Sequence, residues 1–213
     1  MNVFLKVALL CSLSVYAWGS EEKLDKVVVE KDLPSIERGA EALMNSCHSC
    51  HSLKYIKYRD LIAFGISKQK VDGWRGEQPL DTPLMAQMSE ADAEQAFSTK
   101  PPDLSLMTKA RDGDENYLYS YLLAYYTTAE GVVSNHIFPT TKMPDPLGMS
   151  GSPDAAQHAV IEGQARDIVS FLSWAADPHE AERLQLGKYI IGYLLVLTAL
   201  FYLVKKQIWA RLK

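Results

Sequence analysis

The chain has 213 residues, enough for one globular domain with extra segments at its ends. Its 26 acidic and 22 basic residues leave a formal charge of −4, and no basic patch suited to nucleic acid is present, so that partner class is excluded.

Residues 1–19 read as a secretory signal. Lys6 and the free amine make a short positive region, and Val7 to Ala17 is apolar but too short to span a bilayer unaided. Ala17 and Gly19 put small residues three and one before a cleavage point at Ser20. Cys11 follows Leu10 rather than a small residue, which does not fit a lipoprotein site. The exported domain then spans 20–178.

Pro34 suits the first turn of a helix. Ile36, Ala40, Leu43 and Cys47 recur at helical spacing and form one apolar face. Gly39 lies on that helix, where glycine costs about 1 kcal/mol against alanine, and a close helix crossing is the expected reason.

The helix runs into Cys47-His48-Ser49-Cys50-His51. This is the C-x-x-C-H pattern of covalent haem attachment. Two thiols three residues apart can add to the two vinyl groups on one haem edge, and the next histidine is then held beneath the ring as proximal iron ligand. A redox dithiol or half a zinc site are the plainer readings of C-x-x-C. A zinc site needs further ligands, and no cysteine follows residue 50. With both thiols given to haem, no structural disulfide remains. His48 reads as a passenger facing away from the iron.

Further along, Arg59 to Phe64 suggests a short helix, and Ser67 to Pro83, with Gly73, Gly76, Pro79 and Pro83, reads as loop. Ser89 caps a helix through Phe97, stopped by Pro101-Pro102. Asp114 caps a helix over Glu115 to Tyr126, and Thr127 to Asp154 is mostly loop. Gly163 to Ala176 carries Ile168, Phe171, Leu172 and Ala175 on one stripe, and Asp177-Pro178 marks a junction. No segment shows strand alternation, so the expected fold is all-α, with long loops around a haem.

Residues 179–213 form the second unit, a membrane anchor with a short tail. Tyr189 to Val204 has no charge, Pro, Asn or Gln, and Lys205, Lys206, Arg211 and Lys213 follow it. Leu184 and Leu186 extend the apolar run, and Lys188 can snorkel. The positive flank predicts a cytoplasmic C-terminus, with the haem domain on the far side of the membrane, in the periplasm of a bacterial cell.

The second axial ligand must come from elsewhere. Beyond the signal the methionines are Met44, Met85, Met88, Met107, Met143 and Met149, and a thioether raises haem potential relative to a second histidine. Met143 stands out for its Pro-rich loop before the closing helix; Met149 and His136 remain as alternatives.

The frame Gly39, Cys47-x-x-Cys50-His51 and Asp167-Ile-Val-Ser-Phe171-Leu resembles the helical core of class I c-type cytochromes. More specific segments resemble the cytochrome c1 family. They are Tyr58-Arg59-Asp-Leu61, Pro101-Pro102-Asp103-Leu104-Ser105, Ala110-Arg111 before Tyr117, Phe138-Pro139 with Met143-Pro144, Phe171-Leu-Ser-Trp174-Ala, Asp177-Pro178 and one C-terminal span. They occur in family order over most of the chain.

The resemblance implies one covalent haem c with His51 and Met143 as axial ligands. It implies Arg111 beside a haem propionate, where a guanidinium reduces the cost of burying that charge. It also implies Tyr58 and Tyr117 lining the haem, with core packing as the alternative, and Pro102 shaping the haem edge near the proximal histidine. The implied partners are cytochrome b, a Rieske iron–sulfur protein that donates the electron, a soluble cytochrome c that accepts it, and membrane lipid. No acid–base pair or nucleophile is implied, so the chain would take part in enzymatic turnover only within a quinol–cytochrome c reductase. A cytochrome subunit of a terminal oxidase, or a free anchored carrier, shares the haem and the anchor. A haem sensor would keep an open sixth site. Acidic groups at Asp112, Asp114 and Glu115, and at Glu90, Asp92 and Glu94, are candidate faces for a basic carrier.

Overall fold

The structure is a computed structural model that describes residues 23–211. The signal segment read at 1–19 lies outside the described residues. Eight helices and two small two-stranded sheets make up the described chain.

Helix α1, Leu33–Ser46, starts at Asp32, whose carboxylate accepts from Ser35 N at 3.0 Å, and has proline in its first turn. The expected stripe is buried: Ile36, Ala40, Leu43 and Cys47 all face the core. Strand β1 (Leu53–Lys57) and helix α2 (Tyr58–Phe64) follow the attachment loop.

The region read as loop after Ser67 contains helix α3, Lys68–Arg75. Ser67 Oγ accepts from Lys70 N, and Gly76 ends the helix. The sequence concealed it because one buried residue, Val71, is too few for a periodic stripe and Gly73 lies inside it. Gly73 costs no packing, since its Cα faces open space.

Strand β2 (Pro83–Leu84) pairs antiparallel with β1. Helix α4, Glu90–Phe97, is capped by Ser89 Oγ at 3.1 Å from Asp92 N, as expected. A single turn, α5 (Met107–Ala110), leads to α6, Asp114–Leu123. Here the N-cap is Gly113, not Asp114, and the helix stops at Leu123 because Tyr125–Thr127 becomes strand β3, paired with β4 (Val133–Asn135). Gly113 has φ +95°, and the space its Cβ would need is taken by Leu24.

Helix α7, Ala155–Ala176, begins two turns earlier than its apolar stripe suggests. Asp154 and Gln157 form a reciprocal capping box, which starts the helix over a polar stretch. Helix α8, Glu180–Ala210, has no buried residue and is long and apolar enough to cross a membrane once.

The core lies where α1 crosses α7. A Cβ on Gly39 would overlap the Asp167 carbonyl oxygen and stand 2.9 Å from Phe171 Cβ, so only glycine allows this approach. Beside it, Arg38 forms a fork on Asp167 through Nε at 2.6 Å and Nη2 at 3.0 Å. Phe171 is fully buried and packs on Trp174, which in turn meets Phe64.

An extended segment at residues 23–31 was not anticipated. It lies across α6 and α7, held by side-chain acceptors: Asp25 N donates to Ser120 Oγ (2.7 Å), Val27 N to Asn116 Oδ1 (2.9 Å) and Glu30 N to Ser170 Oγ (3.0 Å). Lys31 then pairs with Glu180 at the start of α8.

Gly39→Ala must separate the two helices and is expected to cost about 1–3 kcal/mol. Gly163→Ala on α7, where the added methyl meets open space, is expected to gain up to about 1 kcal/mol. Urea unfolding of both variants checks the pair. Equal midpoints would show that the crossing is not the tight point of the fold.

Candidate functional site

The attachment loop continues the winding of α1. Cys47 N donates to Leu43 O (2.8 Å), Cys50 N to Cys47 O (3.1 Å) and His51 N to Cys47 O (2.9 Å). This turn places the two thiols and the imidazole on one short stretch of chain. Neither cysteine is in a disulfide; Cys47 is buried and Cys50 half-buried. Burial, with a smaller contribution from Cys50, pushes the Cys47 thiol up to about 11.

His51 is 7% exposed. Its Nδ1–H donates to the Pro102 carbonyl at 2.8 Å, which leaves Nε2 as the nitrogen with a free lone pair. Burial pushes its pKa down, against smaller opposing effects of the Pro102 bond and of Asp103, so the ring is neutral near pH 7. A neutral imidazole with one nitrogen tied and the other open is the donor state a metal needs. Two neighbouring cysteines outside any disulfide and this imidazole fit a covalently bound haem. They do not fit a zinc site, since no group of three or more His, Cys, Asp or Glu is close enough to hold a metal ion among the described residues. His48 is also buried, and its Nδ1 has no partner among the described residues.

Two segments clamp the loop. On one side Gln87 N donates to His48 O (3.3 Å), Met88 N to Ser49 O (2.9 Å) and Ala86 N to Ser52 Oγ (2.8 Å). On the other, Leu104 N donates to Ser52 O (2.8 Å) beside the Pro102–His51 bond. Ser52 therefore ties both clamps at the residue after the ligand. No motif in the sequence points to this role for Ser52.

Met143 sits half-buried in its loop. Its N–H donates to Thr141 Oγ1 (3.2 Å), and its carbonyl accepts from Tyr125 Oη (3.2 Å). With the single Tyr125 hydrogen given to Met143, Tyr125 Oη is the acceptor in its 2.9 Å contact with Tyr121 Oη, which is in turn bonded to Thr141 Oγ1 (2.6 Å). Tyr117 stacks on Tyr121 at 6.2 Å, so tyrosines four residues apart run from α6 to the Met143 loop. Burial holds the Tyr125 hydroxyl far above the ordinary phenol range, which keeps it a donor. Buried Asn135 secures the other end: its Nδ2 donates to Tyr121 O (2.8 Å), and its Oδ1 accepts from Ile137 N and Phe138 N.

The remaining candidates are spread more widely. Arg111 is exposed and forms no ion pair among the described residues; its neighbour Lys109 is the one that faces Glu115. Pro102 is exposed, and its carbonyl is what reaches His51. Tyr58 is 2% exposed and belongs to the buried core. Met149 and Met107 are buried packing groups, and the His136 ring lies flat on Tyr126 at 3.9 Å. Of the acidic faces, Glu90 pairs with Lys100, and Glu115 accepts from Ser173.

A helical core carrying a C-x-x-C-H loop, its imidazole tied at Nδ1, joined to a long apolar C-terminal helix defines a membrane-anchored c-type cytochrome. The sequence profile of the Cytochrome C1 family matches residues 23–82 and 73–212, and the chain belongs to that family. It is 32% identical to cytochrome c1 of Allochromatium vinosum over 94% of each chain. It is also similar to the ammonia monooxygenase gamma subunit of Nitrosomonas europaea, at 28% identity over 98% of this chain and 97% of that one. A mitochondrial cytochrome c1 of Solanum tuberosum is 31% identical over 93% of this chain and 69% of its own length. The chain is thus a membrane-anchored electron carrier of the bc1 type, holding haem c covalently.

Tyr125→Phe deletes the hydroxyl that fixes the Met143 carbonyl and is expected to cost about 1–2 kcal/mol. Amide exchange around residues 141–145 should quicken in the variant. An unchanged exchange rate there would show that the tyrosine ladder does not hold the loop.

Proposed function

We propose that His51 and Met143 are the two axial ligands of the haem iron, and that Cys47 and Cys50 carry the thioether bonds. The observation that supports this most directly is the Nδ1–H bond from His51 to Pro102, which fixes the tautomer and aims the basic Nε2 away from the protein carbonyl. When bound, the haem supplies one reversible one-electron couple at iron. The chain's own residues do the rest. His51 is kept neutral and oriented, the Met143 loop is braced by Tyr121, Tyr125 and Asn135, and the clamps around Ser52 hold the attachment turn. Arg111, exposed and free of ion pairs among the described residues, is available to neutralise a propionate.

In this reading the electron arrives from a Rieske iron–sulfur protein and leaves to a soluble cytochrome c, with cytochrome b as neighbour in a quinol–cytochrome c reductase. The domain 20–178 lies on the periplasmic side, residues 179–213 anchor it in lipid, and the basic tail is cytoplasmic. Family membership supports this assignment over an oxidase subunit, which would share the anchor.

Met143→Leu tests the ligand pair. The weak long-wavelength absorption of a thioether–iron bond should disappear and the midpoint potential should fall. An unchanged band and potential would remove Met143 from the site.

Truncation after Pro178 tests the anchor. A red, soluble domain with the parent haem spectrum should appear in the exported fraction, while quinol oxidation by the complex falls as the effective concentration near the donor is lost. A truncated domain that stays in the membrane would overturn the boundary.

A further inference from the structure

Residues 51–55 and 102–105 lie side by side, yet they are not joined as two strands. Pro101 and Pro102 have no N–H, and the N–H groups of β1 on this side find side chains as acceptors. Asp103 Oδ2 accepts from Lys54 N at 3.0 Å, while its Oδ1 accepts from Ser105 N at 3.0 Å. Ser105 Oγ accepts from Tyr55 N at 3.1 Å, and Ser105 is fully buried. Between these side-chain bonds and the Leu104 N–Ser52 O bond, the Pro102 carbonyl is held 2.8 Å from His51 Nδ1.

We propose that Asp103 and Ser105 are positioning residues for the proximal ligand: their side chains tie the backbone of β1 to the segment 102–105, lock the Pro102 carbonyl onto His51, and so set the reduction potential. The inference rests on the reading of His51 as the iron ligand. A firm Nδ1–H···O bond raises imidazole basicity, which favours the oxidised iron. Loosening it raises the potential. Neither residue hydrogen-bonds the ligand through its own side chain; Ser105 acts through the Pro102 carbonyl, and Asp103 adds the direct effect of its charge on His51, which Asp103→Glu retains.

The test is an optical redox titration of the full-length, haem-loaded protein, with covalent haem content measured in parallel. Ser105→Ala removes one acceptor and no charge. Asp103→Glu keeps the charge and displaces both acceptor oxygens. Each is expected to raise the potential, by up to about tenfold in the reduction equilibrium (~59 mV for one electron), with haem content unchanged. Ser105→Thr, which restores a hydroxyl, should return towards the parent value. A parent potential in either Ser105→Ala or Asp103→Glu overturns the proposal, and if one fails to accumulate the other decides it. Absence of covalent haem, or of histidine ligation, in the parent protein would instead overturn the underlying ligand assignment.

Discussion

Where α1 passes α7, the hydrogens of Gly39 Cα are all that fits against the Asp167 carbonyl oxygen. Everything that builds the site follows from this approach. It sets the distance between the helix that ends in the attachment turn and the helix that closes the domain. It also seats Phe171 in the core and aligns Asp167 for the Arg38 fork. A glycine that costs about 1 kcal/mol as a helix former is retained because the crossing needs it.

Around that crossing the chain is rich in loops, and the loops are held by a recurring device. Backbone N–H groups that have no strand or helix partner are taken by short polar side chains. Asp145 accepts from Leu147, Gly148 and Ser150; Asn135 gathers Ile137 and Phe138; Ser120, Asn116 and Ser170 hold the extended segment 23–31. Each bond contributes about 1 kcal/mol, but each satisfies a donor that would otherwise be stranded at a partly buried position. The haem-binding loop belongs to this pattern, with Ser52, Asp103 and Ser105 in the same role.

The sequence was most readable where periodicity or a fixed spacing carried the information. The α1 stripe, the Ser89 cap, the Gly39–Phe171 crossing and the C-x-x-C-H turn were all visible as patterns. The misses share a physical cause. Helix α3 buries one residue, the strands are two to five residues long, and α7 begins on a polar capping box, so none produces a stripe. The segment 23–31 and the partners of His51 depend on bonds between residues about fifty or more positions apart, made by Asp and Ser residues that look ordinary locally. Tyr117, Tyr121 and Tyr125 all fall within the span expected as one helix, Glu115 to Tyr126. That the third leaves the helix to brace the Met143 loop depends on the strand that forms after Leu123.

Helix α8 runs unbroken from Glu180 to Ala210, and its apolar stretch begins only at Tyr189. At about 1.5 Å per residue the whole helix is ~46 Å long, against a hydrocarbon layer of ~30 Å. The surplus is a stiff post rather than a slack tether, and it acts as a lever. A tilt of about 20° in the bilayer carries the far end sideways by ~16 Å. At the top of the post, Lys31–Glu180 and Asp177–Arg183 are solvent-exposed ion pairs, each worth about 0–1 kcal/mol. The joint at Asp177-Pro178 is therefore only lightly latched to a rigid mast, and the reach of the domain over the membrane is set by the angle of a helix rather than by the length of a linker.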